Sequence, residues 1–205
     1  MSLFITFEGG EGSGKSTQTR LLYRRLNKLA IPVLLTHEPG VTSLGKKITS
    51  LLKWSKNINI SPISELLLFN ASRAQLIDEI LKPSLDKGTF VICDRYYDST
   101  IAYQSYARGL DLDMVKAVNK IGSRSLTPDL TILLDIPVER AFERNREKRP
   151  DRFEKENLSF HKRVRQGYLA LAKSEPKRWL IIDGTQDKEI IAGIIWKKIA
   201  PMLPK

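Results

Sequence analysis

The sequence holds few of the side chains that usually carry redox or acid–base chemistry. Among its 205 residues there is one cysteine, Cys93, and there are two histidines, His37 and His161. A lone cysteine has no partner for a disulfide within the chain, which favours a reducing compartment. Each histidine is expected to be a packing or surface residue rather than a general base.

Long hydrophobic runs are also missing. Hydrophobic residues make up 41% of the chain, but no apolar stretch approaches the ~18 to 20 residues that span a bilayer. The first residues enter an apolar run at once, without the basic region and cleavage site of a signal peptide. We therefore expect a soluble, cytoplasmic protein with no membrane partner.

The chain carries a net charge of +11, which invites a nucleic-acid interpretation. More than half of the excess lies between Glu139 and Arg178, where there are 13 Lys or Arg and 7 Asp or Glu. Binding to a duplex usually needs a recognition helix or a groove-sized face as well, and the sequence has no such module. A local basic segment also suits nucleotide phosphates, so no nucleic-acid partner is expected.

A glycine-rich segment at residues 9–16, Gly-Gly-Glu-Gly-Ser-Gly-Lys-Ser, fits the pattern G-x-x-x-x-G-K-[ST] of a phosphate-binding P-loop. It follows an apolar run, Leu3 to Phe7, and precedes a helical pattern, Thr17 to Leu29, which is the context that the motif needs. Lys15 would contact the β- and γ-phosphates, and the Ser16 hydroxyl would ligate Mg²⁺. The predicted ATP-binding residues are Gly9, Gly10, Glu11, Gly12, Ser13, Gly14, Lys15, Ser16 and Thr17.

Apolar strands alternate with helical patterns along the whole chain, which is typical of a parallel sheet covered by helices. The predicted strands are Leu3–Phe7, Val33–Thr36, Phe90–Cys93, Leu130–Asp135 and Trp179–Ile182. Ser61 and Pro62 open a long helix that should run to about Leu81 and stop before Pro83. The fold class is therefore α/β, a doubly wound five-stranded parallel sheet with helices on both faces, in a single domain over residues 1–205.

Charged residues follow three of the predicted strands, and parallel strands bring their carboxyl ends to one edge of the sheet. Glu8 and the P-loop follow the first strand, residues 37–40 follow the second, and residues 94–98 follow the third. Asp94 has the position of a carboxylate that serves Mg²⁺ or its waters, and Arg95 suits a phosphate through paired hydrogen bonds. The alternative for both residues is a structural ion pair at a strand end.

Five segments in the right order resemble the thymidylate kinase family. They are the P-loop with the preceding Phe-Glu, Glu38-Pro39-Gly40, Leu68 to Arg73, the run from Asp94-Arg95-Tyr96 to Ala102-Tyr103-Gln104, and Thr127 to Thr131. The P-loop alone names only a superfamily, whereas the run from Asp94 to Gln104 is specific to this family. The resemblance implies the fold of P-loop nucleoside monophosphate kinases and the reaction of ATP with dTMP to give ADP and dTDP, with Mg²⁺ as cofactor.

The resemblance also implies a set of substrate contacts. Phe69 would stack on thymine, Arg73 would lie near its O4, and Thr100 with Gln104 would complete the base contacts. Tyr103 would crowd the 2′ position of the sugar, and Glu11 would accept a hydrogen bond from the 3′-OH. The implied dTMP-binding residues are Glu11, Glu38, Pro39, Phe69, Arg73, Arg95, Thr100, Tyr103 and Gln104.

A basic segment at about residues 144–154 resembles the lid that supplies the transition-state arginine in bacterial members of the family. The P-loop of this chain has no arginine of its own, so the catalytic residues implied are Lys15 and Arg95 with Arg149 and then Arg146 from the lid. Arg152 could instead be structural. Family members are commonly homodimers, and this chain is expected to form one.

The chain departs from the family at two positions. Val41 replaces the second glycine of Glu-Pro-Gly-Gly-Thr, and Thr49 stands where the family has an arginine that binds the phosphate of dTMP. Lys46, Lys47 or Lys53 could supply part of the missing charge but not its planar fork. If no lysine does so, an arginine at position 49 should tighten dTMP binding roughly tenfold or more.

Other functions stay open at this stage. Another deoxynucleotide kinase is possible because base choice depends on four side chains. A P-loop ATPase that binds nucleic acid through the basic carboxyl-terminal third would be stimulated by DNA and indifferent to dTMP. A third alternative is a weakly active nucleotide-binding regulator, because the arginine expected at position 49 is missing.

Overall fold

The computed structural model describes residues 2–55, 58–144 and 150–204. Its strands are β1 (Phe4–Glu8), β2 (Val33–His37), β3 (Phe90–Asp94), β4 (Leu130–Asp135) and β5 (Trp179–Asp183). All five predicted strands are confirmed to within one residue at each end. Two of the predicted lid arginines, Arg146 and Arg149, lie outside the described residues.

The five strands form one parallel sheet in the order β2-β3-β1-β4-β5. Strand β1 lies at the centre, with Phe7 opposite Asp94 of β3 and Glu8 opposite Leu133 of β4. The segments that follow β1 and β3 therefore leave the sheet side by side. This register brings the P-loop next to the Asp94-Arg95 segment.

Nine α-helices cover the sheet in the described part of the chain. They are α1 (Lys15–Lys28), α2 (Ser43–Trp54), α3 (Pro62–Leu76), α4 (Lys82–Asp86), α5 (Tyr97–Thr100), α6 (Leu112–Gly122), α7 (Val138–Arg144), α8 (Leu158–Ser174) and α9 (Lys188–Ile199). Two π-helical segments, Ile77–Leu81 and Ile101–Ala107, continue α3 and α5, and a 3₁₀ turn, Ala200–Met202, follows α9. None of these helices is both long and apolar enough to cross a membrane.

Side chains of β1 alternate between two cores, as a strand buried on both faces requires. Ile5 and Phe7 pack with Leu22 of α1 and Ile195 of α9 on one face. On the other face, Phe4 packs with a cluster that includes the π-helical segment after α3. The doubly wound arrangement predicted from the sequence is confirmed.

The predicted end of the third helix before Pro83 is wrong. The π-helical segment Ile77–Leu81 leads directly into α4, which contains Pro83 in its first turn and ends at Asp86. Proline is tolerated in the first turn of a helix because its missing N–H would have no intrahelical acceptor there. The π-helical turn shifts the hydrogen-bond pattern, so Pro83 does not interrupt the chain's helical path.

A buried ion pair anchors the segment after β3. Both carboxylate oxygens of Asp98, which is fully buried, accept hydrogen bonds from Arg178, at 2.7 and 2.9 Å. Arg178 also donates to Thr131 of β4 at 2.7 Å. Since a buried charge needs a partner, this arrangement fixes α5 against β4 and the start of β5, and with it the backbone that carries Arg95.

Candidate active site

A cleft of about 1080 Å³ opens at the carboxyl edge of the sheet. Both groups of predicted residues line it: the phosphate-loop residues from Glu11 to Thr17, and the acceptor-side residues Glu38, Pro39, Phe69, Arg73, Asp94, Arg95, Thr100, Tyr103 and Gln104. Gly9 and Gly10 instead border a smaller cavity of about 350 Å³ behind the loop. The fold thus brings residues from four parts of the sequence to one continuous space.

Two glycines of the P-loop have no room for a side chain. A Cβ at Gly9, where φ is 139°, would meet the carbonyl oxygen of Leu134 at 2.6 Å. At Gly12, where φ is 72°, it would meet the carbonyl oxygen of Ala141 at the same distance. The loop therefore lies tightly between β4 and α7, and helix α1 begins at its end with its positive pole toward the cleft.

Lys15 is buried and its ammonium group contacts the loop itself. It donates to the carbonyl oxygens of Gly9 at 3.0 Å and Gly10 at 2.7 Å. Burial, together with the nearby charge of Arg95, lowers the pKa of Lys15 to about 8, although Glu11 and Asp94 act in the opposite direction. Both of these acceptors are neutral. A phosphate bound in the loop would bring negative charge close to the ammonium group and favour its charged form.

Ser16 and Asp94 lie together at the mouth of the loop. The Ser16 hydroxyl donates to Asp94 Oδ2 at 2.6 Å. Within the described residues, no group of three or more His, Cys, Asp or Glu side chains could hold a metal ion by itself. A hydroxyl and one carboxylate fit Mg²⁺, which prefers oxygen ligands and takes the rest from phosphates and water.

Arg95 is held by contacts on its backbone and its side chain. Its φ is 71°, a conformation uncommon outside glycine, and its N–H donates to Phe7 O at 2.9 Å. Its Nη1 lies 3.0 to 3.2 Å from Gly9 O, Ser99 Oγ and Tyr168 Oη. Its Nη2 forms an ion pair with Glu11. Among described residues, Nε–H and one Nη2–H remain free to bind a phosphate.

A buried glutamate supports Arg95 indirectly. Glu8 Oε2 accepts hydrogen bonds from Ser99 at 2.6 Å and Tyr168 at 3.0 Å, the same two hydroxyl groups that contact Arg95. Burial and the charge of Asp98 raise the pKa of Glu8. No role for Tyr168 could be predicted from the sequence, because it lies 73 residues from Arg95 along the chain and only packing brings the two together.

Glu11 is ionised in this environment. Burial disfavours its charge, but Arg95, Lys15 and Lys53 outweigh that effect and lower the pKa of Glu11 to about 2. Only Oε1 is engaged by Arg95. Among the described residues no hydrogen bond engages the other oxygen. It can therefore accept one from a ligand, which is the role that the resemblance gave to Glu11.

Arg73 is almost completely buried, and its side chain is fixed on three sides. Its Nε donates to Glu38 Oε2 at 2.8 Å, and Nη1 donates to Asn70 at 3.1 Å and Asn119 at 3.2 Å. Its Nη2 donates to Thr100 Oγ1 at 2.8 Å. An arginine has five N–H donors, so these contacts within the described residues leave one Nη2–H for a ligand.

Glu38 and Asn119 are partners of Arg73 that could not be recognised as such from the sequence. Burial raises the pKa of Glu38, although Arg73 opposes the shift. Its second oxygen, Oε1, is buried and has no hydrogen-bond partner among the described residues.

At the first departure from the family pattern, Val41 is half-buried and packs against the core cluster around Phe4. At the second, Thr49 is a half-buried residue of α2. Its hydroxyl donates to Gly45 O at 2.8 Å and lies close to Gly40.

Lys53, one turn further along the same helix, lines the cleft. Its Nζ forms an ion pair with Asp151 at 3.1 Å, and its side chain is 32% exposed. Lys46 and Lys47 are exposed and are not among the lining residues.

The end of the cleft beside α9 was missed by the sequence analysis. Gly184, Thr185 and Gln186, after β5, line the cleft there together with Arg144, whose Nη1 donates to Gly184 O at 3.0 Å. The rule that ligands lie at the carboxyl ends of parallel strands could have identified this loop. Gly184, Thr185 and Gln186 are themselves uncharged, unlike Arg95, which lines the cleft after β3.

The fold and the cleft together define a P-loop nucleotide phosphotransferase, with a phosphate loop beside a second, aromatic-lined compartment. A sequence profile described as thymidylate kinase matches residues 7–195. The chain belongs to the thymidylate kinase family and is an enzyme that phosphorylates dTMP to dTDP with ATP as donor.

Individual comparisons extend over nearly the whole chain. A thymidylate kinase from Dehalococcoides mccartyi (strain CBDB1) is 57% identical over 203 residues, which cover 99% of this chain and 98% of the relative. One from Caldanaerobacter subterraneus subsp. tengcongensis is 44% identical over 200 residues, covering 98% and 96%. The crystal structure of thymidylate kinase from Ehrlichia chaffeensis superposes with a TM-score of 0.79 at 35% identity, covering 97% of this chain and 98% of that one.

The pKa of Lys15 predicts how nucleotide binding depends on pH. In the free protein Lys15 loses its charge above a pH of about 8, because its pKa is lowered to about 8. A polyphosphate binds the charged form, so we expect the affinity for Mg-ADP to fall by up to tenfold per pH unit between 8 and 9.5. Isothermal titration calorimetry at several pH values measures this affinity.

The control is Lys15→Arg, whose guanidinium stays charged over this range. Its affinity for Mg-ADP, weaker or not, should not change between pH 7.5 and 9.5. A parallel fall in both proteins would assign the pH dependence to another group.

Proposed function

We propose that the whole cleft acts as one phosphoryl-transfer site, with ATP in the phosphate loop and dTMP in the compartment lined by Phe69 and Arg73. The observation that carries the proposal is the continuity of the two compartments, with Arg95 and Glu11 between them. Phe69 is half-buried and offers an aromatic surface beside Phe153, at 5.6 Å between ring centres. The remaining Nη2–H of Arg73 suits the O4 of thymine.

The reaction needs position and charge more than acid–base catalysis. A nucleoside monophosphate has a second pKa near ~6, so its phosphate is already a dianionic nucleophile at neutral pH. Lys15 and the positive end of α1 stabilise charge on the donor phosphates, and the free N–H groups of Arg95 hold the acceptor phosphate. Glu11 orients the sugar through its second oxygen, and Tyr103 packs beside the sugar.

Ser16 and Asp94 would hold Mg²⁺ in this proposal, Asp94 directly or through water. When bound, the ion would neutralise charge on the donor phosphates. The short hydrogen bond between the two side chains supports the assignment because it brings two oxygen ligands to the mouth of the loop. Arg149 and Arg146 would complete the site from a lid at about residues 144–154 on a single domain. The setting is cytoplasmic, which the use of ATP favours.

Coupled release of ADP tests the proposed acceptor. We expect turnover with dTMP, because its base offers a carbonyl oxygen to the free Nη2–H of Arg73, and weaker turnover with dCMP, whose base has an amino group there. With DNA we expect none beyond background, because the described residues form no groove for a duplex. The assay is run with dTMP, dUMP, dCMP and DNA supplied separately. Stimulation by DNA and indifference to dTMP would instead support an ATPase that acts on nucleic acid, and no turnover at all would support a regulatory protein.

We further propose that Lys53 supplies the charge that an arginine at position 49 gives to the family. Among the described residues Lys53 has one carboxylate partner, Asp151, and it lies near enough to Glu11 to lower the pKa of Glu11. An ammonium group has three donors, so a phosphate can be bound while the contact with Asp151 is kept. Thr49 is engaged with its own helix and contributes little.

Lys53→Ala should raise the KM for dTMP about tenfold and that for ATP much less, because a hydrogen bond to a charged group is worth about 1.5–3 kcal/mol. Thr49→Arg should gain little in the natural background and should restore dTMP binding in the Lys53→Ala background. Lys46→Ala, which removes an exposed lysine from the same helix, is the matched control. Steady-state kinetics measure all four variants, and a normal dTMP KM in Lys53→Ala would remove Lys53 from the phosphate site.

The homodimer is proposed to form through the outer faces of α3 and α6. Ile63 and Leu67 of α3 are 41% and 53% exposed, and Ile121 of α6 is 78% exposed. Ile63, Leu67 and Ala71 are spaced at four residues and form one exposed stripe on α3. Exposed apolar surface of this kind is typical of an interface between proteins.

Leu67→Glu should convert the dimer to a monomer, because a charged side chain in the centre of an apolar interface leaves an uncompensated buried charge. Size-exclusion chromatography with light scattering measures the mass of each form. Ile190→Glu, at a residue of α9 that is equally exposed at 53%, should remain dimeric. A monomeric natural protein, or two variants of equal mass, would contradict the assigned surface.

A further inference from the structure

Glu65 of α3 is a buried carboxylate that is not one of the proposed catalytic or substrate-binding residues. Its side chain is 1% exposed, and three side chains donate to it. Gln104 Nε2 lies 2.7 Å from Oε1 and Arg152 Nη2 lies 2.6 Å from Oε2. Arg108 approaches both oxygens, with Nε at 3.3 Å and Nη2 at 3.5 Å. Two guanidinium groups therefore pair with this buried carboxylate.

The contact with Glu65 fixes the direction of the Gln104 amide. A carboxylate has only acceptors, so the amide atom that faces it must be the NH₂ group. The amide oxygen of Gln104 is then the one hydrogen-bonding atom of this side chain left for a ligand. Among the described residues, no donor contacts that oxygen, and Gln104 lines the cleft with Arg73 and Thr100.

The compartment thus presents an ordered pair of groups, a donor on Arg73 and an acceptor on Gln104. Thymine and uracil have the complementary pair, a carbonyl oxygen at C4 and an N–H at N3. Cytosine has the reverse, an amino group at C4 and an unprotonated N3. Buried polar groups discriminate strongly against a ligand that leaves them unpaired.

We propose that Glu65 is a positioning residue that holds the Gln104 oxygen toward the base, and so selects pyrimidine nucleotides with an N3–H over cytosine nucleotides. The inference rests on the base compartment of the proposed function. Arg152, within the segment proposed as the lid, and Arg108 hold the carboxylate of Glu65. Arg152 Nε also donates to Leu52 O at 2.7 Å, which ties this arrangement to the helix that carries Lys53.

Glu65→Gln tests the inference with little change of shape. The new amide would keep its oxygen toward Arg152 and turn its NH₂ toward Gln104, so Gln104 would reverse and present its own NH₂ to the base. We expect kcat/KM for dTMP to fall tenfold or more. The ratio of kcat/KM for dCMP to kcat/KM for dTMP should rise at least tenfold. The ratio of dUMP to dTMP should not change, because both bases have an N3–H.

Glu156→Gln is the matched control, because Glu156 pairs with Arg108 but does not contact Gln104. It should leave both ratios unchanged. A purely structural role of Glu65 would lower kcat/KM for every acceptor by one factor, and an unchanged dCMP to dTMP ratio in folded Glu65→Gln would overturn the inference. Gln104→Ala distinguishes a failure of the proposed base compartment from a failure of the role given to Glu65. An unchanged KM for dTMP in that variant would contradict the base compartment itself.

A measurement on the natural protein guards against a variant that does not fold. The N3–H of 5-fluoro-dUMP is more acidic than that of dTMP. If Gln104 presents only an acceptor, the affinity for 5-fluoro-dUMP should decline as the pH rises past the pKa of its N3–H. The affinity for dTMP should stay constant over the same range. Equal pH dependence of the two ligands would show that no fixed acceptor faces N3, and would overturn the inference.

Discussion

The parallel pairing of β1 with β3 and β4 is the constraint on which the rest of the site depends. It brings the P-loop, Asp94 and Arg95 to one edge of the sheet, within hydrogen-bonding distance of one another. Gly9 lies so close to the carbonyl of Leu134 that any side chain there would force β1 and β4 apart. The positions of the phosphate loop and of the strands are therefore not independent.

Buried charges are the second organising feature, and each is held by partners from distant parts of the chain. Arg73 is bound by Glu38, Asn70, Asn119 and Thr100, and Glu65 by Gln104, Arg108 and Arg152. Arg95 is supported by Glu8 through Ser99 and Tyr168. Because each group keeps few unused donors or acceptors, a ligand meets a small number of groups in fixed directions. Selectivity of the pocket then follows from direction as well as from residue type.

At the two departures from the family pattern, the side chains contact the protein itself. Position 49 has a threonine that bonds to its own helix, and a cation lies one turn later at Lys53. In a helix, residues four apart share a face, so a charge can be moved along one face without moving the helix. The aliphatic side chain of Val41 packs into the core cluster around Phe4.

The sequence by itself determined the class of fold, the five strands, and the phosphate-loop and acceptor-side residues that line the cleft. These features are encoded locally, by apolar runs, by the glycines and lysine of one loop, and by charged residues directly after strands. Only the tertiary structure decided the partners of those residues: Glu38 and Asn119 for Arg73, Tyr168 for Arg95, and Glu65 for Gln104. Hydrogen bonds between residues 35 to 73 positions apart leave no periodicity in the sequence, because they depend on how helices pack against the sheet.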